Sequence, residues 1–361
     1  MKNVLVTGGA GFIGSNFVRY LLKNQPDVQI YNLDALTYAG SLLNLENLPD
    51  PARHHFIKGD ICDRKLVDEL LHSHLIETVV HFAAETHVDR SITGPGLFIQ
   101  TNVIGTYTLL EACRQAWLLD QTIPVTNARF HHISTDEVFG TLGPGDPPFN
   151  EQTPYAPRSP YAASKAASDH LVRAYMHTYQ FPATISNCTN NYGPWQFPEK
   201  LIPLMILHAR DGKSLPVYGD GQQVRDWLYV EDHCEAILKV ILKGRCGETY
   251  AIGGDNQPPN LQIVETICEI MDEIRGDSPW VPHRQLIQFV ADRPGHDRRY
   301  DMDISKIRRE LEWQPTRTLA SGLLETVKWY LDHPGWVEAI VRESDYESWL
   351  RRNYDEHGRG K

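Results

Sequence analysis

At 361 residues, with 41% hydrophobic and 22% charged residues, the chain has length enough for two cores and the composition of a soluble globular protein, which excludes a disordered or membrane-embedded one. The net charge of -11 speaks against nucleic acid as a partner, because phosphate contacts need clustered Lys and Arg, yet leaves a phosphorylated small molecule open. The first eight residues hold too short an apolar run for a signal peptide and no later stretch reaches the length of a membrane span, so a cytoplasmic location is expected.

Residues 2–7 form a short β-branched apolar run that leads straight into Gly8-Gly9-Ala10-Gly11-Phe12-Ile13-Gly14 and then a helical pattern through Phe17, Val18, Tyr20, Leu21 and Leu22. Strand, glycine turn and helix is the context of a dinucleotide fingerprint. Gly8 and Gly9 permit the turn, Gly11 lets backbone approach a pyrophosphate, and Gly14 lets the helix pack on the strand. A second strand, residues 28–33, ends at Asp34, twenty residues after Gly14. A carboxylate there accepts hydrogen bonds from ribose hydroxyls and repels a 2′-phosphate, which predicts NAD rather than NADP.

The βα alternation continues. Residues 55–61 read as a strand whose end contacts adenine, 65–72 as a helix, and 78–84 as an apolar buried strand with small residues that leave room for a cofactor. A long helix is predicted over 101–119, with Val103, Tyr107, Leu110 and Trp117 as a core or subunit-seam stripe. A strand at 129–133 then runs into Ser134-Thr135-Asp136-Glu137-Val138. Ligands of open parallel sheets bind beyond the carboxyl ends of strands, so Thr135, Asp136 and Glu137 fall where chemistry is expected.

Residues 141–160 are a Pro-rich loop that would shape or cover the site, followed by a helix from Tyr161 with an apolar stripe of Leu171, Val172, Tyr175, Met176 and Tyr179. Tyr161 and Lys165 sit one turn apart on it and can face one ligand. A strand at 183–188 precedes a change of composition. Later elements are a strand over 225–230, a helix through Leu242 capped by Asp232, a strand at 250–252, and helices at 305–311, 320–331 and near 336–354. Arg293, Arg298 and Arg299, beside a Pro-Gly turn in an acidic protein, suit a diphosphate.

Six cysteines, at 62, 113, 188, 234, 246 and 268, lack any C-x-x-C spacing and read as free buried thiols. The histidine pairs 54-55, 72-74 and 131-132 predict no metal site; neighbours on a strand point to opposite faces.

These motifs carry a resemblance. Gly8-x-x-Gly11-x-x-Gly14 with Tyr161-x-x-x-Lys165 resembles the extended short-chain dehydrogenase/reductase superfamily. Within it, Ser134 to Val138, His87-Val88-Asp89-Arg90-Ser91, Asn190-Asn191-Tyr192-Gly193-Pro194, Pro198-Glu199-Lys200-Leu201, Arg225 to His233 and Ala291 to Asp297 are similar to the dTDP-glucose 4,6-dehydratase family over nearly the whole chain. Phe139 stands where that pattern has Tyr. The resemblance implies a Rossmann-type α/β fold, a doubly wound parallel sheet with a smaller mixed α/β substrate-binding lobe. Residues 1–189, with 225–252 returning, would bind NAD, and residues 190–224 and 253–361 a nucleotide sugar.

By that resemblance a nucleotide sugar is oxidised at C4, dehydrated across C5 and C6, and reduced at C6. Tyr161, with its pKa lowered by Lys165 and the nicotinamide charge, would take the O4 proton and Thr135 would hold O4. Glu137 would take the C5 proton and Asp136 would give its own to the departing C6 hydroxyl. Gly8, Gly11, Phe12, Ile13, Gly14, Asp34, Ala35, Leu36, Thr37, Asp60, Ile61, Phe82, Ala83, Ala84, Thr86, Thr101 and Asn191 would line NAD, with Lys165 on its ribose. Thr86, Asn190, Lys200, Leu201, Pro216, Val217, Tyr218, Arg225, Asn260, Asp292, Arg293 and His296 would bind the substrate. The helices at 101–119 and 161–180 would pair across a two-fold axis as a four-helix homodimer seam. A 4-epimerase or decarboxylase of the same superfamily, or a non-catalytic NAD sensor, are the alternatives; paired acids speak against the first and an intact Tyr161, Lys165, Asp136 and Glu137 against the last.

Overall fold

The computed structural model describes residues 1–292 and 296–343. In chain order its strands and helices are β1 (Asn3–Thr7), α1 (Phe12–Asn24), β2 (Gln29–Asp34), β3 (His54–Lys58), α2 (Arg64–Ser73), β4 (Thr78–His81), α3 (Val88–Thr93), α4 (Pro95–Phe98), α5 (Thr106–Arg114), β5 (Arg129–Thr135), α6 (Pro160–Tyr179) and β6 (Ala183–Cys188). There follow β7 (Asn190–Tyr192), α7 (Leu201–Arg210), β8 (Leu215–Tyr218), β9 (Trp227–Tyr229), α8 (Val230–Lys243), β10 (Thr249–Ile252), α9 (Asn260–Ile274), β11 (Ile287–Val290), α10 (Ser305–Leu311), α11 (Leu319–Asp332) and α12 (Pro334–Glu343).

Seven strands form a parallel sheet in the order β10-β6-β5-β4-β1-β2-β3. Alternation along β1 explains its two covered faces: Leu5 packs with Leu70, Leu110 and Trp117, while Val4 and Val6 pack with Phe17, Leu21 and Ile237 on the other side. The first connection from β1 to β2 is made by α1, which the bare turn at Gly8 allows. Gly8 has φ +74°, and a Cβ there would lie 2.6 Å from the Ala83 nitrogen. A second core gathers α7, α9 and α11 around Met205, Ile267 and Val327. Two small parallel pairs, β8 with β11 and β7 with β9, belong to this region.

Several elements differ from expectation. The strands predicted over 55–61 and 78–84 stop at Lys58 and His81, so Asp60, Ile61 and Phe82 to Ala84 form the loops beyond the strand ends. The helix over 101–119 is one helical run, but α5 is flanked by π-helical turns at Ile99–Gly105 and Gln115–Leu119. Its stripe divides: Leu110 and Trp117 are fully buried and Tyr107 is exposed. The strand over 225–230 is reduced to β9, paired with β7 outside the large sheet. Asp232 does not cap α8; it lies in the first turn and its carboxylate accepts from Thr316 Oγ1 and the backbone of Thr316 and Arg317, clamping α8 to the segment before α11. Of the cysteines, Cys113, Cys188, Cys234 and Cys268 are buried, while Cys62 is half-buried and Cys246 exposed; all are free thiols. Residues 344–354 of the last expected helix lie outside the described residues.

Gly14 is closed in by the backbone of the turn: an added Cβ would sit 2.2 Å from the Gly8 carbonyl oxygen and 2.8 Å from the Gly9 Cα. Both are backbone and neither can swing aside. Gly14→Ala is expected to lose about 2 kcal/mol net, because overpacking against backbone falls at the upper end of about 1–3 kcal/mol and Ala otherwise gains roughly 1 kcal/mol over Gly in a helix. The shift should appear in the urea midpoint at unchanged slope. A midpoint equal to the parent's would show that the turn tolerates a side chain there.

Candidate functional site

The carboxyl ends of β1, β2, β4, β5 and β6 meet at a cavity of about 390 Å³. At one end Gly8, Gly11, Phe12, Ile13 and Gly14 line it. Gly11 caps the thirteen-residue α1 without a side chain, so the first-turn N–H groups face the cavity uncapped, an arrangement suited to a phosphate. Asp34 lines the same region. Its carboxylate accepts from Ala10 N and Leu36 N, each at 2.8 Å, and burial raises its pKa while those two N–H groups oppose the rise. Ala35, Thr37, Asp60, Ile61, Phe82, Ala83, Ala84, Thr86, Thr101 and Asn191 also line the cavity. Leu36 does not; with φ +54° it turns the chain so that its N–H holds Asp34.

At the other end stand Thr135, Asp136, Glu137, Tyr161 and Lys165. β5 delivers Thr135 as its last residue, and the chain folds at once into a 3-10 turn, Asp136–Phe139, capped by the Thr135 hydroxyl accepting from Glu137 N at 3.3 Å. Thr135 Oγ1 donates to Asp136 Oδ1 at 3.2 Å, and Asp136 Oδ2 is buried with no hydrogen-bond partner among the described residues. Burial first, then the neighbouring Glu137, push the Asp136 carboxyl well above the usual range, with Arg225 acting weakly against them. An ionised carboxylate in such a place costs several kcal/mol in effective desolvation, whereas the Thr135 hydrogen bond returns only about 1–3 kcal/mol, so the balance favours the acid form.

Tyr161 departs from expectation. Burial drives its phenol well above the ordinary tyrosine range, Glu137 and Asp136 add to the rise, and only a hydrogen bond with Thr135 opposes it. The anticipated lowering by Lys165 is not seen, because that ammonium turns away: Nζ donates to the Ile133 carbonyl at 2.8 Å and answers Asp169. What would bring the phenol down is positive charge inside the cavity.

The expected substrate residues split into two groups. Thr86, Asn190 and Lys200 line the cavity together with the acids. Leu201, Pro216, Val217, Tyr218, Arg225, Asn260, Asp292 and His296 lie beyond its wall, and Arg293 lies outside the described residues. Among these, His296 Nδ1 pairs with Asp292 Oδ1 at 2.6 Å, Asp292 Oδ2 accepts from Gln223 Nε2 at 3.0 Å, and the Tyr218 ring meets His296 edge-on. Arg225 is buried, donates to the carbonyls of Val224 and Asp297, and stacks over the Tyr300 ring. Asn260 opens α9 with Oδ1 buried and no partner among the described residues. Arg298 and Arg299 are engaged elsewhere, with Asp220 and Asp301.

The Pro-rich loop over 141–160 does not cover the cavity. It is strapped to the segment after residue 296 by Leu142 N to Arg299 O and Phe149 N to Asp301 O, and Phe139 packs on Phe149 and Tyr155 of the loop. Sequence reasoning passed over Tyr38, Glu85, Thr189, Gln196 and Phe197, all of which line the cavity. Tyr38 and Glu85 follow the ends of β2 and β4, so the strand-end rule applied to one more residue on each loop would have found them. No cluster of metal-ligating side chains occurs among the described residues.

Because the folded pKa of Asp136 is raised, its proton is held to higher pH than that of an ordinary carboxyl and is lost as pH rises through the raised value. An infrared carboxylic-acid band at pH 7 is expected in the purified protein and should weaken in Asp136→Asn, leaving the contribution of Asp226, itself raised to about 7. Glu137→Gln removes one cause of the rise and should shift that band's loss to lower pH. A parent without the band at pH 7 would assign Asp136 the ionised state.

The family model for GDP-mannose 4,6 dehydratase matches residues 5–326. A dTDP-glucose 4,6-dehydratase of Shigella flexneri is 52% identical over 98% of this chain and 99% of its own length, and that of Xanthomonas campestris pv. campestris strain B100 is 55% identical over 94% and 96%. Among solved structures, DesIV, the dTDP-glucose 4,6-dehydratase of Streptomyces venezuelae with NAD and TYD bound, superposes with TM-score 0.84 at 45% identity, covering 94% of this chain and 99% of that one. A UDP-glucose 4-epimerase of Thermotoga maritima with UDP-glucose superposes with TM-score 0.80 at 27% identity over 91% and 99%. With near-full-length relatives above half identity, this chain belongs to the GDP-mannose 4,6 dehydratase family and within it to the dTDP-glucose 4,6-dehydratases.

Proposed function

We propose that this chain converts dTDP-glucose to dTDP-4-dehydro-6-deoxyglucose and water, with NAD held throughout in the cavity at the sheet edge. The observation that carries the reading is Asp136: a buried carboxyl beside a second one and next to Tyr161, on the wall of the cavity that the glycine turn opens. An epimerase needs the Tyr, the Lys and a hydroxyl but has no use for a neutral acid paired with a second carboxyl.

The residues present fit NAD. The uncapped start of α1 with Gly8, Gly11, Phe12, Ile13 and Gly14 would take the pyrophosphate, Asp34 to Thr37 the adenosine ribose, and Asp60 and Ile61 the adenine. Phe82 to Ala84, Thr86, Thr101 and Asn191 would line the rest, with Lys165 on the nicotinamide ribose. Bound NAD supplies hydride acceptance from C4 and hydride return to C6, so no outside reductant is consumed. Thr135 holds O4 while Tyr161 takes its proton. The ketone so formed acidifies C5, and Glu137, half-buried beside it, removes that proton. Asp136 donates its proton to the departing C6 hydroxyl, which is why burial must keep it protonated beforehand.

Asn190, Lys200 and Leu201, then Pro216 to Tyr218, Arg225, Asn260, Asp292, Arg293 and His296, would bind the nucleotide and its diphosphate. On this reading residues 1–189 and 225–252 serve NAD, and residues 190–224 and 253–361 serve the nucleotide sugar. A homodimer through a four-helix seam is supported by exposed Ile99, Ile104 and Tyr107 beside α5 and exposed Tyr179 on α6. No described helix is long and apolar enough to cross a membrane, which agrees with a cytoplasmic location.

Purified protein incubated with dTDP-glucose should yield the 4-keto-6-deoxy product without added reductant, identified by mass; recovery of dTDP-galactose would instead establish an epimerase. Glu137→Gln should reduce bound NAD in a single turnover, seen as reduced-nicotinamide absorbance, and then stall before water loss. Normal turnover by that variant would place the C5 base elsewhere.

A further inference from the structure

Two residues line the cavity from different cores: Thr86, on the loop after β4, and Lys200, at the entry to α7. Each has a chain neighbour outside the lining, His87 and Glu199, and these two neighbours meet. His87 Nε2 stands 3.2 Å from Glu199 Oε1, with the imidazole side chain 7% exposed and the carboxylate side chain not exposed at all. Arg90, three residues along from His87 on α3, brings Nη2 to 3.8 Å from Glu199 Oε2. Its guanidinium also lies 4.3 Å over the ring of Tyr38, a cavity residue from the loop after β2 whose OH is 3.2 Å from Thr86 Oγ1. Phe197, two residues before Glu199, meets the same ring edge-on.

We infer that Glu199 is a positioning residue: paired with His87 and Arg90, it latches the turn that carries Lys200 onto the loop that carries Thr86, and so fixes the two walls of the cavity relative to one another. The backbone explains how one short stretch serves both purposes. His87 is the N-cap of α3 and Lys200 the N-cap of α7, each in extended conformation, and extended backbone turns successive side chains to opposite sides. Thr86 and Lys200 therefore take the cavity side while His87 and Glu199 take the other. The imidazole is oriented for its partner: Nδ1 accepts from Arg90 N, which leaves the proton on Nε2, facing the carboxylate. Neither oxygen of Glu199 makes a hydrogen bond among the described residues, so what holds it is the facing of His87 and Arg90. Burial raises its pKa, Lys200 and then Arg90 oppose the rise, and Asp89 adds to it. An ion pair taken out of water returns little net stability, and fixing registry is the use such pairs are best known for.

The inference deepens the proposed function and rests on it through the roles given there to Thr86 and Lys200. Binding of dTDP to the NAD-loaded protein, measured by calorimetry, reads the latch without turnover. Glu199→Gln and His87→Asn should each weaken binding by about tenfold, within the couplings found between residues in contact. In the double variant the losses should not multiply, because a latch already open cannot be opened again; binding should stay within about twofold of the weaker single variant. Losses that multiply to about a hundredfold, or single variants that bind like the parent, overturn the pairing. If a variant does not fold, the parent decides: the nitrogen-15 resonances of His87 should show Nε2 protonated and Nδ1 bare, and a proton on Nδ1 overturns the latch. The two readings fail separately. A parent that does not bind dTDP defeats the nucleotide-sugar reading and leaves the histidine resonances to judge the latch; a parent that binds it, with losses that multiply, defeats the latch alone.

Discussion

A carboxyl buried at the sheet edge is the constraint around which the site is arranged, and burial is the first influence that makes it hold its proton to higher pH than an exposed one. Asp136 is 2% exposed, and one of its oxygens finds no hydrogen-bond partner among the described residues. Desolvation alone favours the neutral form, and a second carboxyl one residue along makes a second negative charge costlier still. The same burial acts on Tyr161, whose phenol is likewise raised. One pocket thus makes both the carboxyl and the phenol hold their protons more tightly, and their degree of burial is similar.

The sheet makes this economical in sequence. Parallel strands all end on one edge, so short loops after β1, β2, β4, β5 and β6 can be brought around one cavity with no element built for that purpose. The covering helix α6 then needs only a period near four to place Tyr161 and Lys165 toward the strand ends, and Asp169 toward the strands themselves. His132 and His131 illustrate the alternation of β5 beneath them: His132 meets Asp169 and Lys165 on one face, and His131 meets Thr184 and Ser186 on the other.

Much of this was legible in the residues because it rests on local periodicity. The glycine turn, Asp34, the acid pair and the Tyr-Lys spacing are each local signals read against a simple parallel sheet, and the structure brings all of them to one cavity. What was not legible depended on distant partners. Asp232 has the look of a helix cap, yet its ligands are Thr316 and Arg317, some eighty residues on. Arg298 and Arg299 read as a diphosphate clamp, but Asp220 and Asp301 face them, and neither pairing has a sequence signature. The π turns around α5 carry no signal in an apolar stripe, which is the same for an α or a π winding over one turn. The Lys165 part of the expected Tyr161 lowering was illegible for a related reason: helical spacing puts Lys165 on the correct face, but its ammonium donates to the Ile133 carbonyl.

The segment that leads into β9 acts on the acid through charge. Arg225 opposes the rise of the Asp136 pKa and Asp226 adds to it, so adjacent residues on one segment pull in opposite directions. Burial and Glu137 decide the balance. Arg225 comes after burial and Glu137 and ahead of Asp226; its guanidinium donates to the Val224 and Asp297 carbonyls and lies 4.3 Å over the Tyr300 ring. Asp226, itself raised to about 7 by burial, is held by the N–H groups of Gly254 and Asn256. The segment after β8 is therefore fixed in place by its own hydrogen bonds, and its net field on Asp136 is small beside the effect of excluding water. The rise in the Asp136 pKa is accordingly set first by burial at the edge of the large sheet and next by Glu137.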